Sequence, residues 1–171
     1  MNYPELIRAR YSVRSYRETP IEPEKLEKVL EAGRLAPTAA NFQPIRIYVL
    51  QSAEALEKIR SLTRCAFNAP TVLLIAYDAD AQWSSPLEAG IASGQQDASI
   101  VATHMMLMAR ELGLGSCWVN FFPNTETAHA FGLPENEKPV LLMPMGYPAA
   151  DAAPAPRHFE SKPLAELVRY L

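Results

Sequence analysis

The stretch DASIVATHMMLMARELGLGSCWVNFF, Asp97 to Phe122, decides the fold. Its first part, Asp97 to Leu112, reads as the longest helix in the chain. The apolar residues Ile100, Val101, Met105, Met106, Leu107, Met108 and Leu112 run nearly all the way round it, the pattern of a helix at a domain centre or a subunit interface. Gly113 stops the helix, and Cys117 to Phe122 then reads as a strand. The intervening Gly113-Leu114-Gly115 is a G-x-G, but a dinucleotide fingerprint runs strand, glycines, helix and needs a third glycine. Here the order is helix, glycines, strand, so a Rossmann unit is excluded. No G-x-x-x-x-G-K-[ST] phosphate loop occurs anywhere in the sequence.

Working outward, the N-terminal side offers a short helix over Glu5 to Ala9 and an extended run from Arg10 to Tyr16. Pro23 opens a helix whose Leu26, Val29, Leu30 and Gly33 share one face, and Pro37 ends it. Ile45 to Leu50 has strand composition, and Ser52 is placed to cap the next helix. Thr71 to Tyr77 is apolar enough for a strand buried on both faces. On the C-terminal side follow a short helix over Asn124 to Phe131, a strand over Val140 to Met145, an irregular Pro/Ala-rich loop over Pro148 to Arg157, and a closing helix over Pro163 to Tyr170. Four strands and five or six helices without strict alternation indicate an α+β fold, and 171 residues suit one domain spanning 1–171.

Hydrophobic residues make up 49% and charged residues 20%, a globular composition. No apolar run approaches the ~20 residues of a membrane span. The first residues lack the apolar core of a secretory signal, so a cytoplasmic protein is expected. The formal charge of −3 gives no general case for nucleic-acid binding. Cys65 and Cys117 are too few for a disulfide framework, and His104, His129 and His158 are scattered, so no metal site is expected. His104 reads as a hydrogen-bonded core or interface residue.

Three features carry chemistry. Residues 1–17 hold Arg8, Arg10, Arg14 and Arg17 against Glu5 alone, while 18–31 carry five glutamates against Lys25 and Lys28. In extended Arg10-Tyr11-Ser12-Val13-Arg14, two guanidinium groups and a hydroxyl alternate and share one face, a match for phosphate oxygens. Pairing of that strand with the acidic helix behind it is the competing reading. Second, Ala36-Pro37-Thr38-Ala39-Ala40-Asn41-Phe42-Gln43-Pro44 combines small residues with amide donors and acceptors suited to a planar heterocycle. A rigid helix stop reads equally well there. Third, the strand after Gly115 ends where its backbone could line a site. A lone Arg157 follows the Pro/Ala loop.

The order and spacing of these blocks, with Asn68-Ala69-Pro70 and Met145-Gly146-Tyr147-Pro148, resemble the FMN-dependent nitroreductase family. The resemblance implies a mixed, mainly antiparallel sheet flanked by helices, and a homodimer with FMN sites at the subunit interface. It implies that Arg10, Tyr11 and Ser12 hold the FMN phosphate end with Arg157, and that Arg14 lies at the flavin's N1 and O2 edge as an electrostatic partner. Pro37, Thr38, Ala39 and Asn41 then come from the partner subunit, and the backbone at Val119 and Asn120 meets the flavin near N5. NADH or NADPH supplies electrons, and nitroaromatics, quinones or similar electron-poor acceptors receive them. Oxidase, dehydrogenase or dehalogenase chemistry, or flavin sensing without turnover, are the alternatives. The sequence departs from the family pattern at Ala39, where serine is common, at Phe121, where glycine is common, and at Ala155, where a basic residue sometimes stands.

Overall fold

The computed structural model describes residues 1–171. Its helices are α1 (Tyr3–Ala9), α2 (Pro23–Arg34), α3 (Ala53–Leu62), α4 (Gly94–Glu111), α5 (Asn124–Ala130) and α6 (Leu164–Leu167). Its strands are β1 (Ile45–Leu50), β2 (Thr71–Asp78), β3 (Gly115–Ser116) and β4 (Glu137–Gly146). They form one sheet in the order β1-β2-β4-β3, antiparallel at every strand pair. A single parallel bridge joins Ser12 to Ser116 beyond the β3 edge, so the α+β, mixed but mainly antiparallel expectation holds.

Sequence periodicity explains the layering. In β2, alternate side chains enter opposite cores. Leu73 and Ile75 join Leu141, Met143 and Met145 under α2 and α4, while Val72 and Leu74 join Leu50, Leu56, Ile59 and Leu142 under α3 and α5. The strand is buried on both faces as its composition indicated. Helix α4 lies tight on α2, where a Cβ on Gly33 would come within 2.9 Å of Met105.

Local signals set the ends. Asn2 and Glu5 form a capping box on α1, and Ser52 accepts the Ala55 N–H at 3.1 Å. Helix α4 closes in a Schellman turn: Gly113, at φ +79°, donates to Arg110 at 3.1 Å and Leu114 to Ala109 at 2.8 Å.

Three expectations need correction. The strand expected at Cys117–Phe122 is instead the two residues of β3 plus an isolated bridge between Val119 and Leu142. The ladder fails because Cys117 comes opposite Pro144, which accepts its N–H at 3.2 Å but has none to return. The closing helix is only Leu164–Leu167, a single turn with no buried residue. Helix α4 begins three residues early, at Gly94, where a Cβ would strike the Tyr77 ring. Within the single chain, α4 leaves Gln96, Ile100, Thr103 and His104 exposed along one side, which excludes a domain centre and leaves the subunit-interface expectation open.

Candidate functional site

Val13 is 2% exposed and donates its N–H to the Ser116 carbonyl at 3.0 Å, which lays the Arg10–Arg14 segment beside β3. Gly115 makes this approach possible, since a Cβ there would lie 2.5 Å from a Val13 methyl. The Tyr16 hydroxyl lies 2.7 Å from the Val13 carbonyl and 3.0 Å from that of Pro144, tying the segment's end to β4. Burial of that hydroxyl raises its pKa and keeps it a donor.

With Val13 turned into the core, its neighbours on alternate positions face outward together. Arg10, Ser12 and Arg14 line a cleft of about 390 Å³ with Arg157, His158 and Ser161 from the C-terminal loop. Of the charged pairs in the chain, none engages Arg10, Arg14 or Arg157. No ion pair joins α2 to the basic segment: Glu22, just before α2, takes Lys25 and Tyr147, and Glu31 takes Arg34. The reading of the basic strand as the partner of an acidic helix therefore falls. Three guanidinium groups and a hydroxyl without carboxylate partners fit a phosphate ester. Glu160, which also lines the cleft, is the one opposing charge.

Tyr11 points away from this cleft. Its hydroxyl donates to the Ala152 carbonyl at 3.3 Å and its ring meets that of His158 edge-on at 6.2 Å, so it braces the loop that carries Arg157. Cys117 lies next to the cleft. Burial pushes its thiol pKa up, against the opposing pull of the Arg14 charge, so it stays a neutral thiol.

Val119 and Asn120 continue from this edge. The Val119 N–H is already given to the Leu142 carbonyl at 2.9 Å, so that amide is not available to a ligand. The next two amides, of Asn120 and Phe121, have no acceptor within the chain. Asn120 accepts a 2.5 Å bond from the Trp118 indole through its side chain, and its carbonyl accepts the Phe122 N–H at 3.1 Å, which together fix the turn.

The loop Pro37–Asn41 lies elsewhere. Ala40, Asn41 and Gln43 all have positive φ (47°, 59° and 53°), three strained non-glycine residues within four positions. The strain is held by specific bonds. Ala39 donates its N–H to Asp97 at 2.9 Å, Ser93 donates its hydroxyl to the same carboxylate at 2.7 Å, and Gln43 donates its N–H to the Thr38 hydroxyl at 3.0 Å. Asp97 is 2% exposed. Its role escaped the sequence reading; the signal available was a carboxylate in the first turn of an otherwise apolar helix. Thr38 and Gln43 line a separate hollow of about 240 Å³ with Leu30, Gly33, Ile47 and Val101. The chain thus unites Arg10, Ser12, Arg14 and Arg157, but does not bring Pro37, Thr38, Ala39 or Asn41 to them.

A crystal structure of a nitroreductase family protein from Clostridium difficile 630 superposes with a TM-score of 0.92 at 40% identity, covering 99% of this chain and 98% of that one. An FMN-dependent nitroreductase from Clostridium difficile R20291 superposes with a TM-score of 0.71 at 27% identity, covering 85% and 87%. The NADH dehydrogenase of Thermus thermophilus is 28% identical over 182 residues, covering 86% of this chain and 87% of its own. The model of the Nitroreductase family matches residues 7–68 and 63–147, which include the basic segment, the strained loop, α4 and β3. The chain belongs to the nitroreductase family.

Proposed function

We propose that residues 1–171 act as one FMN-binding domain of an NAD(P)H-dependent oxidoreductase. It would reduce nitroaromatics, quinones or similar electron-poor acceptors, with a cytoplasmic setting and two sites per homodimer. One observation carries the reading: three guanidinium groups without carboxylate partners converge with Ser12 on one cleft. That donor set fits the phosphate of FMN, and the relatives named for FMN and NADH support the cofactor and the electron donor.

FMN, when bound, supplies an N5 that takes hydride from a pyridine nucleotide and passes it on. The residues do the remaining work. Arg10, Ser12 and Arg157 would grip the phosphate. Arg14, at the opposite end of the same face from Arg10, would stand against the flavin edge where negative charge gathers on reduction, and a fixed cation there favours the reduced form. The amides of Asn120 and Phe121, which have no acceptor within the chain, would serve as donors to the flavin ring, the Val119 amide being held by Leu142. Pro37, Thr38, Ala39 and Asn41 would come from a second copy, which accounts for two half-sites in one chain. No side chain is needed as a nucleophile.

The test is an absorbance spectrum of the FMN-supplemented, desalted protein before and after anaerobic NADH or NADPH. Flavin bands that bleach with either donor are expected. Bands that persist would shift the reading to a flavin sensor or an oxidase, and absent bands would overturn the cofactor assignment.

A further inference from the structure

Beside the free amides of Asn120 and Phe121 stands a second cationic feature, outside the cleft lined by Arg10, Arg14 and Arg157. The Phe121 ring is 68% exposed, and the Arg64 guanidinium carbon lies 5.7 Å from its centroid. Arg64 makes no ion pair, unlike Arg34 and Arg46, which have carboxylate partners. The two segments are stitched together from below. The buried Thr63 hydroxyl donates to the Phe121 carbonyl at 2.6 Å and accepts the Cys65 N–H at 3.1 Å. Phe121 lines a hollow of about 340 Å³ with Leu62, Asn120, Phe122 and Pro123, and the Arg64 cation stands beside that ring.

The geometry points to Arg64 and Phe121 as the acceptor-selecting pair of this enzyme, favouring planar electron-poor aromatics that carry a carboxylate. An aromatic face next to an unpaired guanidinium offers stacking and a charge-assisted bond at once. The hollow is lined by Asn120 and Phe121, whose amides are assigned to the flavin ring, so an acceptor held there would lie next to the redox centre. This inference rests on the flavin oxidoreductase reading above.

The test compares 4-nitrobenzoate with 4-nitrobenzamide, its uncharged counterpart, by calorimetric titration of the oxidised FMN-loaded protein. The wild type should bind the acid about tenfold more tightly than the amide, one charge-assisted hydrogen bond's worth. In Arg64→Gln that preference should vanish with the amide as internal reference, and Arg64→Lys should retain part of it. Raising salt to about 0.5 M should shrink the preference in the wild type. Phe121→Leu should weaken acid and amide alike. Equal loss of both ligands in Arg64→Gln would overturn the proposal, as would weakened NADPH binding with the acid unaffected. A wild type whose flavin NAD(P)H fails to bleach sinks the functional reading and this inference together. Bleaching without any preference for the acid sinks this inference alone.

Discussion

Among single residues, Arg10 and Asp97 do different jobs that substitution separates. Arg10 faces the cleft and supports nothing else, so Arg10→Ala should leave stability unchanged while weakening FMN binding about 10- to 100-fold, measured by flavin fluorescence on titration. Asp97 is buried and touches no cleft. Asp97→Ala strands the Ala39 N–H and the Ser93 hydroxyl, and should cost about 2–3 kcal/mol in urea unfolding. Asp97→Asn keeps an acceptor for Ala39 and should lose less than half as much. Equal losses for the two would mean that the carboxylate does not hold the loop. The arginines were legible in the sequence because a period of two needs only local extension. Asp97 was not, because its partner Ala39 lies 58 positions away and only the tertiary fold joins them. The Val119 amide is likewise spent on Leu142, a pairing that spacing alone cannot show.

At the scale of elements, the two glycines after α4 look alike in sequence and differ in cause. Gly113 is needed for its positive φ, and nothing lies within 4 Å of the place its Cβ would take. Gly115 is needed for space, because Val13 occupies that place. Gly113→Ala should therefore cost about 1 kcal/mol in unfolding and leave FMN affinity alone. Gly115→Ala should cost about 1–3 kcal/mol and also weaken FMN binding, since Val13 carries Arg10, Ser12 and Arg14 with it. Unchanged affinity in Gly115→Ala would show that the basic segment does not depend on its seat at β3. Long elements with a consistent period, such as β2 and α2, were readable in advance. The short β3 was not, because its end depends on Pro144 of a different strand. Helix α6 failed for want of a packing surface, without which one helical turn has little to hold it.

For the whole molecule, the structure raises a question of completeness. One chain holds the basic cleft and the strained loop as separate features, and it leaves apolar surface uncovered. Ile100 is exposed in the middle of α4, and Leu164, Leu167, Val168 and Tyr170 are exposed along the C-terminal segment. A second copy packed on α4 would cover the first of these and bring its own Pro37–Asn41 loop toward the cleft, since Asp97 at the head of α4 anchors that loop. Oligomeric state and cofactor binding should then be lost together. Ile100→Asp adds a charge to the exposed side of α4 without touching either core, so helix content by circular dichroism should be unchanged. The expected outcome is a shift from twice the 19.0 kDa chain mass to the single chain in sedimentation, with loss of bound flavin. A monomer that still holds FMN tightly would show that Arg10, Ser12, Arg14 and Arg157 suffice alone and that the loop serves something else. A dimer that persists would move the interface off this side of α4, to the exposed C-terminal segment.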